Sequence, residues 1–415
     1  MTTPCTPGAL LAGVRIIDSA LLGPNAVGMH LADLGAEVIK VEGPGGDYVR
    51  RMAFPIVDGI SLLHWHLNRG KQSIILDLRT PEGVETYLDL VRGADAVVEG
   101  MRPGALARRG LTWERLSEVN PRLVFCSISG YGATGPYKDM PSHGIAYDAW
   151  AGVARPSFDA EDRPRIPSYT TIGINAGPLY AALGICAGIL RARASGRGCR
   201  FEVAQSDAAA AFNWNGIEGN KAYERPDDAV TGNDGDGKGA RRPVGDDSMK
   251  EAVRYQYYRS KDGIVLFMAS ERAFWKNFCE GIGRSELFAR NPGAQYADHA
   301  RGNEALRGEL TAIFATRTTA EWLAFGLEAN TPIAPVNTVT TITQDPQFQA
   351  RLPFQPWQEH GTDLMPSPIR LEGETLPPLA KAPVEAGRDT ERVLAAVLGY
   401  DAERIARLRA AGALG

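Results

Sequence analysis

The feature that most restricts the fold is an alternation in the first third of the chain. Short β-branched runs, GVRIID (13–18), AEVIKVE (36–42), SIILDL (73–78), DAVVEG (95–100) and LVFCSISGYG (123–132), are separated by segments with helical patterning. One of these segments, TPEGVETYLDLVRGA, opens on Thr80 as N-cap and Pro81 as first helical residue. Strands that alternate with helices pair in parallel, because each helix carries the chain back across the sheet, so an α/β fold is expected. Ligands of such sheets bind beyond the carboxyl ends of the strands, which directs attention to the stretch after each run. GPGGD (43–47) follows one run but lacks the spacing of a dinucleotide fingerprint and reads as a turn.

At 415 residues the chain exceeds one typical core, and two domains are expected. Residues 226–247, PDDAVTGNDGDGKGARRPVGDD, are dense in Gly and Asp with almost no apolar side chain, which marks a loop and linker after a large domain over 1–225. Within that domain GPLYAALGICAGILRARASGRG (177–198) is the strongest helix, apolar for most of its length and stopped at Ser195-Gly196. The stretch TTIGINAG before it offers unpaired backbone N–H groups. Beyond the linker, VRYQYYRSKDGIVLFMAS reads as a hairpin turned at Lys261-Asp262-Gly263, with a helix from about Glu271, inside a smaller α/β domain over 248–330. Residues 331–415 read as a return linker and two helices, DTERVLAAVLG and DAERIARLRAAG, that complete the large domain.

Charge is close to balanced, 45 Lys and Arg against 49 Asp and Glu, so no summed field draws nucleic acid or an anionic membrane. Any anionic ligand must be held by local cations. The N-terminus carries no signal pattern and no run reads as long enough to span a bilayer, so a soluble cytoplasmic protein without nucleic-acid or membrane partners is expected. The five cysteines never fall at C-x-x-C spacing, and of six histidines only His64 and His66 lie close together, with no carboxylate cluster beside them. Neither a disulfide framework nor a metal site is expected.

The motifs LGAEVIKVE, NRGKQSIILDLRTPEG, VVEGMRPGALARRGLTWERLSEVNPRLVFCSISGYGATGPY and SGRGCRFEVAQSDAAAA occur in this order. Together they resemble the class III coenzyme A transferase family, which includes the α-methylacyl-CoA racemases. The resemblance implies a Rossmann-like large domain, an interlocked homodimer, and an acyl-CoA thioester as substrate. Coenzyme A then enters as part of that substrate, and no cofactor is permanently bound. It also implies that Leu76, Arg79, Gly100, Met101, Arg108 and Tyr131 hold the nucleotide and pantetheine, and that the Gly-rich segment 231–240 covers the site. Gly43 departs from the pattern, since several relatives carry arginine there. Read without the resemblance, Arg102 and Arg108 are placed either to meet phosphates or to form a solvated basic face.

Transferases of this family attack the acyl-CoA with an aspartate, forming a mixed anhydride. Counting back from SGRG, the matching position is Ile174, and a hydrocarbon side chain has no lone pair to attack with. The glutamine usual near the first strand is also missing from ALLGPN, where Leu21 and Leu22 stand. His143 sits in an H-x-I-x-Y context with Ile145 and Tyr147 that matches the racemases, as does Glu271 in MASERAFW. Removing a proton α to a thioester needs a base of near-neutral pKa and donors for the enolate oxygen. His143 meets the first need and the N–H groups of GINAG the second, with Glu271 orienting the imidazole. The main expectation is therefore proton transfer α to a thioester, of isomerase, epimerase or lyase type, with His143 as base and no covalent aspartyl intermediate. The alternative is a coenzyme A transferase with a relocated carboxylate such as Asp148 or Glu271. A second alternative is a non-catalytic acyl-CoA-binding subunit. Asp148 also suits a capping or solvated role, and Glu271 a helix N-terminus.

Overall fold

The computed structural model describes residues 8–52, 55–226, 229, 249–294 and 298–415. By chain contacts these fall into two compact units, one formed by Met1–Asn213 with Gln349–Gly415 and the other by Trp214–Phe348. The segment 231–240 and almost all of the predicted linker lie outside the described residues.

In the first unit, β1 (Arg15–Ala20), β2 (Glu37–Glu42), β3 (Lys71–Ile75), β4 (Ala96–Gly100), β5 (Val124–Ser129) and β6 (Cys199–Ala204) make one sheet. Its order is β6-β5-β4-β1-β2-β3, with every pair parallel. The chain winds outward from β1 in one direction and then from β4 in the other, which is the Rossmann arrangement. The reversal opens a crevice at the carboxyl ends of β1 and β4. The sheet is flanked by α1 (Ala26–Asp33), α2 (Leu62–Leu67), α3 (Pro81–Arg92), α4 (Trp113–Val119), α5 (Ile145–Trp150), α6 (Gly173–Ser195) and α7 (Gln205–Phe212).

Successive strand residues feed opposite faces. Ile16, Val38, Val98 and Cys126 pack with Val27 and Leu31 of α1 and with Ile185 and Ile189 of α6. Their neighbours Ile17, Ile39, Val97 and Phe125 pack with Tyr87 and Leu90 of α3 and with Val393 and Leu394 of the helix Thr390–Leu398. Both faces are covered, so the strands read as unbroken apolar runs, each large side chain contributing roughly 1.5–3 kcal/mol by burial. β6 escapes that reading because it is an edge strand: Phe201 and Val203 pack inward while Arg200 and Glu202 are exposed. On the opposite edge the C-terminal segment closes the sheet, with the Ser73 N–H donating to Asp389 and the Ile75 N–H to the Thr390 hydroxyl.

α6 begins four residues earlier than predicted and ends on Gly196 in the left-handed region, φ 72°. The expectation that no run reaches membrane-spanning length is corrected by this helix, whose 23 residues are long and apolar enough by length and composition. Half of that stretch is buried within the unit, as the core helix of an α/β sheet requires. His64 and His66 fall on α2, both largely shielded, with His64 Nε2 donating to the Pro383 carbonyl at 2.7 Å.

The second unit holds an antiparallel sheet of Tyr255–Arg259, Ile264–Met268 and Ile333–Pro335, the first two joined through the predicted turn at 261–263. Helices Arg272–Gly281, Glu304–Phe314 and Thr319–Glu328 cover an aromatic core of Phe267, Trp275, Phe278, Phe314 and Trp322.

Candidate active site

The crevice at the switch point is a cavity of about 850 Å³. Its wall is made of the stretches after β1 (Leu21–Pro24), after β4 (Gly100–Pro103, Ala105 and Arg108) and after β5 (Ser129–Tyr131). Tyr48, Ile128, residues 138–144, Tyr147, Ile174 and Gln205 complete it. Of the residues singled out from the sequence, Gly100, Met101, Arg102, Arg108, Tyr131, His143 and Ile174 thus share one cavity.

The loop bearing His143 is held by packing rather than by a long helix. Gly130, at the end of β5, leaves room for Ser142 and Tyr147, because a Cβ there would stand 2.6 Å from the Ser142 hydroxyl and 2.7 Å from the Tyr147 ring. The His143 carbonyl accepts from the Ala146 N–H at 2.8 Å, starting α5. Its imidazole is exposed on the cavity wall and has no hydrogen bond among the described residues. Tyr131 and Tyr147 line the cavity, and Tyr131 meets Tyr137, Tyr147 and Trp150 edge-on. Ile174, in the first turn of α6, packs over Gly144, where a Cβ would lie 3.2 Å from its Cγ2. The hydrocarbon at 174 therefore adjoins the loop that carries the imidazole.

Asp148 is fully buried and already engaged. Its carboxylate accepts from the N–H groups of Ile172 and Gly173, at 3.2 and 2.8 Å, and from the Tyr169 hydroxyl at 3.2 Å. The expected free N–H groups at the head of α6 are corrected accordingly: two of them are spent on this carboxylate. Glu271 belongs to the second unit, where it is the exposed N-cap residue of Arg272–Gly281 and accepts from the Ser270 hydroxyl at 2.9 Å.

A second depression, about 520 Å³, is lined by Arg79, Arg108, Arg109 and Arg115 beside the first turn of α3. Arg108 lines both spaces. Arg79 forks onto Asp77, with contacts of 2.6–3.0 Å, and holds that carboxyl down to about 2. Leu76 is instead a core residue with no exposed side-chain surface, and its N–H donates to the Glu42 carbonyl.

Beneath the cavity floor lies a buried ionic lattice. Lys40 Nζ donates to the Ala20 carbonyl, Asn25 Oδ1 and Asp47 Oδ2 at 2.6–3.0 Å. Lys71 Nζ donates to Asp18 at 2.8 Å and to the Asn25 carbonyl at 2.6 Å. Burial brings the Lys71 ammonium down to about 8 against the pull of Asp18. Both lysines pin the ends of segment 20–25, and between them Leu22 is held at φ 57°, ψ −135°, a conformation normally left to glycine. Such strain costs about 1–3 kcal/mol and collects where a chain must present its backbone to a ligand.

Sequence reasoning named Leu22 only for the glutamine missing beside it and not for its strain, and it missed the Lys138-Asp139 pair on the cavity rim and Gln205. A search beyond the end of every parallel strand, β6 included, finds Gln205 as the residue that follows Ala204.

The model of CoA-transferase family III matches residues 11–390. The chain belongs to that family. This family III chain is 30% identical to the succinyl-CoA–L-malate CoA-transferase beta subunit of Chloroflexus aurantiacus over 96% of each chain. It is 31% identical to the succinate–glutarate CoA-transferase of Agrobacterium fabrum, covering 82% of this chain and 83% of that one. Among solved structures, a CAIB/BAIF family protein from Brucella suis superposes with a TM-score of 0.71 at 26% identity, covering 92% of this family member and 98% of the other. The named relatives of the family III chain are transferases, where the sequence pattern at His143 had pointed first to racemases.

Proposed function

We propose that the chain transfers coenzyme A between small carboxylic acids, without forming a covalent carboxyl intermediate of its own. The observation that carries this reading is Ile174 on the cavity wall, with Asp148 consumed in capping α6. Arg79 and Arg109 meet the nucleotide phosphates, with Arg108 between the two spaces, and Gly100, Met101 and Tyr131 line the path of the pantetheine to His143. With no enzyme carboxylate at 174, the acceptor acid attacks the thioester directly. Its oxygen bonds to the acyl carbon, the carbon–sulfur bond breaks, and the two acids form a mixed anhydride beside the freed thiolate. The thiolate then attacks the acceptor's carbonyl carbon and releases the donor as its carboxylate, so no proton is gained or lost. Arg102 and Lys138, both on the cavity wall, neutralise the entering and the leaving carboxylate. The names of the relatives support transfer as the reaction class. The exposed side chains of Leu179, Leu183 and Leu190 along α6 support a homodimer that covers them, which light scattering on the purified chain would test.

The test pairs succinyl-CoA and other acyl-CoA donors with a panel of mono- and dicarboxylic acceptors. Intersecting initial-velocity lines and no hydroxylamine-trapped thioester or anhydride on the chain are expected. Parallel lines with a trapped carboxyl would overturn the direct attack. The second reading, α-proton transfer by His143, is favoured by the exposure of that imidazole on the cavity wall. It requires deuterium uptake at the α-carbon of an acyl-CoA in heavy water that disappears in His143→Gln.

A further inference from the structure

We propose that Gln205 is a specificity residue that accepts a hydrogen bond from a hydroxyl on the acyl group, so that the preferred thioesters are hydroxyacyl-CoA compounds. The inference rests on the reading of this cavity as the coenzyme A thioester site.

Gln205 begins α7 directly after β6 and is 4% exposed, yet it lines the cavity. Its Oε1 is buried and accepts no hydrogen bond from the protein. An orphaned buried acceptor is costly to the fold, and a ligand group that completes it removes that cost.

The place is built to hold this side chain. Two glycines one helical turn apart on α6 give it room: a Cβ at Gly177 would stand 2.9 Å from Gln205 Cγ, and one at Gly173 2.8 Å from the Gln205 carbonyl oxygen. Gly23, in the strained segment after β1, adjoins the same side chain: an added Cβ would be in ordinary contact with Gln205 Oε1 at 3.7 Å and with Ile174 Cβ at 3.6 Å. The orphaned oxygen and the isoleucine thus flank one glycine. The surrounding wall, Leu21, Leu22, Pro24, Ile128 and Ile174, is hydrocarbon.

Beside Gly23 and Ile174 the carboxamide oxygen has hydrocarbon neighbours, so the ligand group that completes it must be a proton donor, and a methylene in that place leaves it orphaned. A carboxylate or ketone brings no proton to Oε1 and leaves it orphaned. A hydroxyl supplies the missing proton. The group that reaches Gln205 lies beside Ile174, at the position where the resemblance puts the reacting centre, so the donor belongs to the acyl moiety and not to the pantetheine amides.

Calorimetry on the full chain with coenzyme A, butyryl-CoA and 3-hydroxybutyryl-CoA, repeated for Gln205→Met, tests this. Wild type is expected to bind the hydroxyacyl thioester about tenfold or more tightly than the deoxy one. In Gln205→Met, nearly equal in length and apolar, that preference falls to within twofold while affinity for coenzyme A itself is kept, which also reports that the variant is folded. Equal affinities in wild type, or a preference that survives Gln205→Met, would overturn the assignment. An equal loss for coenzyme A and both thioesters would move the contact to the pantetheine and also overturn it. Failure of wild type to bind coenzyme A at all would instead sink the reading of the cavity, and this inference with it.

Discussion

Ile174 decides more of the chemistry than any other side chain. It stands on the cavity wall against Gly144, next to His143, so a shorter carboxyl side chain fits the same space. Ile174→Asp is expected to give the chain an attacking group. Initial-velocity lines for acyl-CoA and acceptor should turn from intersecting to parallel, and hydroxylamine should then trap an acyl or thioester adduct mapped by mass spectrometry to residue 174. A variant that stays sequential and untrapped would mean that 174 does not face the reacting carbonyl. The isoleucine and the histidine were legible in the sequence because ordered motifs on either side fix their numbering. The strain at Leu22 and the orphaned oxygen of Gln205 were not. Strain at Leu22 comes from two lysines placed on other strands, and the orphaned oxygen of Gln205 is a property of neighbours 28 and more residues away, Gly177 and Gly23 among them.

At the scale of elements, α6 illustrates what a pattern gives and withholds. Its apolar length and its glycine stop could be read directly, whereas its first turn could not, since that turn depends on a partner outside the helix. Pro178 has no N–H to offer the Ile174 carbonyl, so the opening of α6 is weakly held by the helix itself. Asp148 supplies the anchorage by taking the Ile172 and Gly173 N–H groups, with Tyr169 on the same carboxylate. Asp148→Ala strands those donors in a buried place and is expected to cost about 2–4 kcal/mol in urea unfolding. Amide exchange at residues 172 and 173 should rise before that of the helix centre, with Asp148→Asn intermediate because it keeps one acceptor oxygen. If Asp148→Ala instead left stability unchanged and abolished turnover, the carboxylate would have a chemical role. β6 makes the complementary point. A strand covered on one face alternates apolar with charged residues, and five or six residues of that pattern do not stand out beside runs buried on both faces.

For the first unit as a whole, the buried charges set how it responds to acid. Burial, with the positive charge of Arg50 adding to it, brings the His64 imidazole down to about 4. Burial and the charge of Arg69 bring His66 to about 4 as well. An imidazole that titrates near 6.5 when unfolded and near 4 when folded binds its proton more readily in the unfolded chain, so between those values stability falls as pH falls. Each ring contributes up to about 3 kcal/mol over that window. For Glu42 burial works toward a higher value, but the Arg50 hydrogen bond and the charges of Lys40 and Arg50 outweigh it and hold the carboxyl below its ordinary range. Asp47 follows the same balance, with Lys40 as the main opposing charge. Carboxylates held low add stability that is complete above their unfolded values and is lost as pH drops through the lowered folded ones, so their loss comes after that of the imidazoles. The same residues tie distant parts of the chain together: His64 binds the Pro383 carbonyl, and Arg50 bridges Glu42 and the Val384 carbonyl. Urea unfolding should therefore show a steady decline from pH 7 to about pH 4 and a steeper one below it. His64→Gln should be less stable at pH 7, where it loses a buried donor geometry, and should show a flatter slope between pH 6.5 and 4. A slope unchanged by His64→Gln would mean that the ring is already protonated in the folded chain.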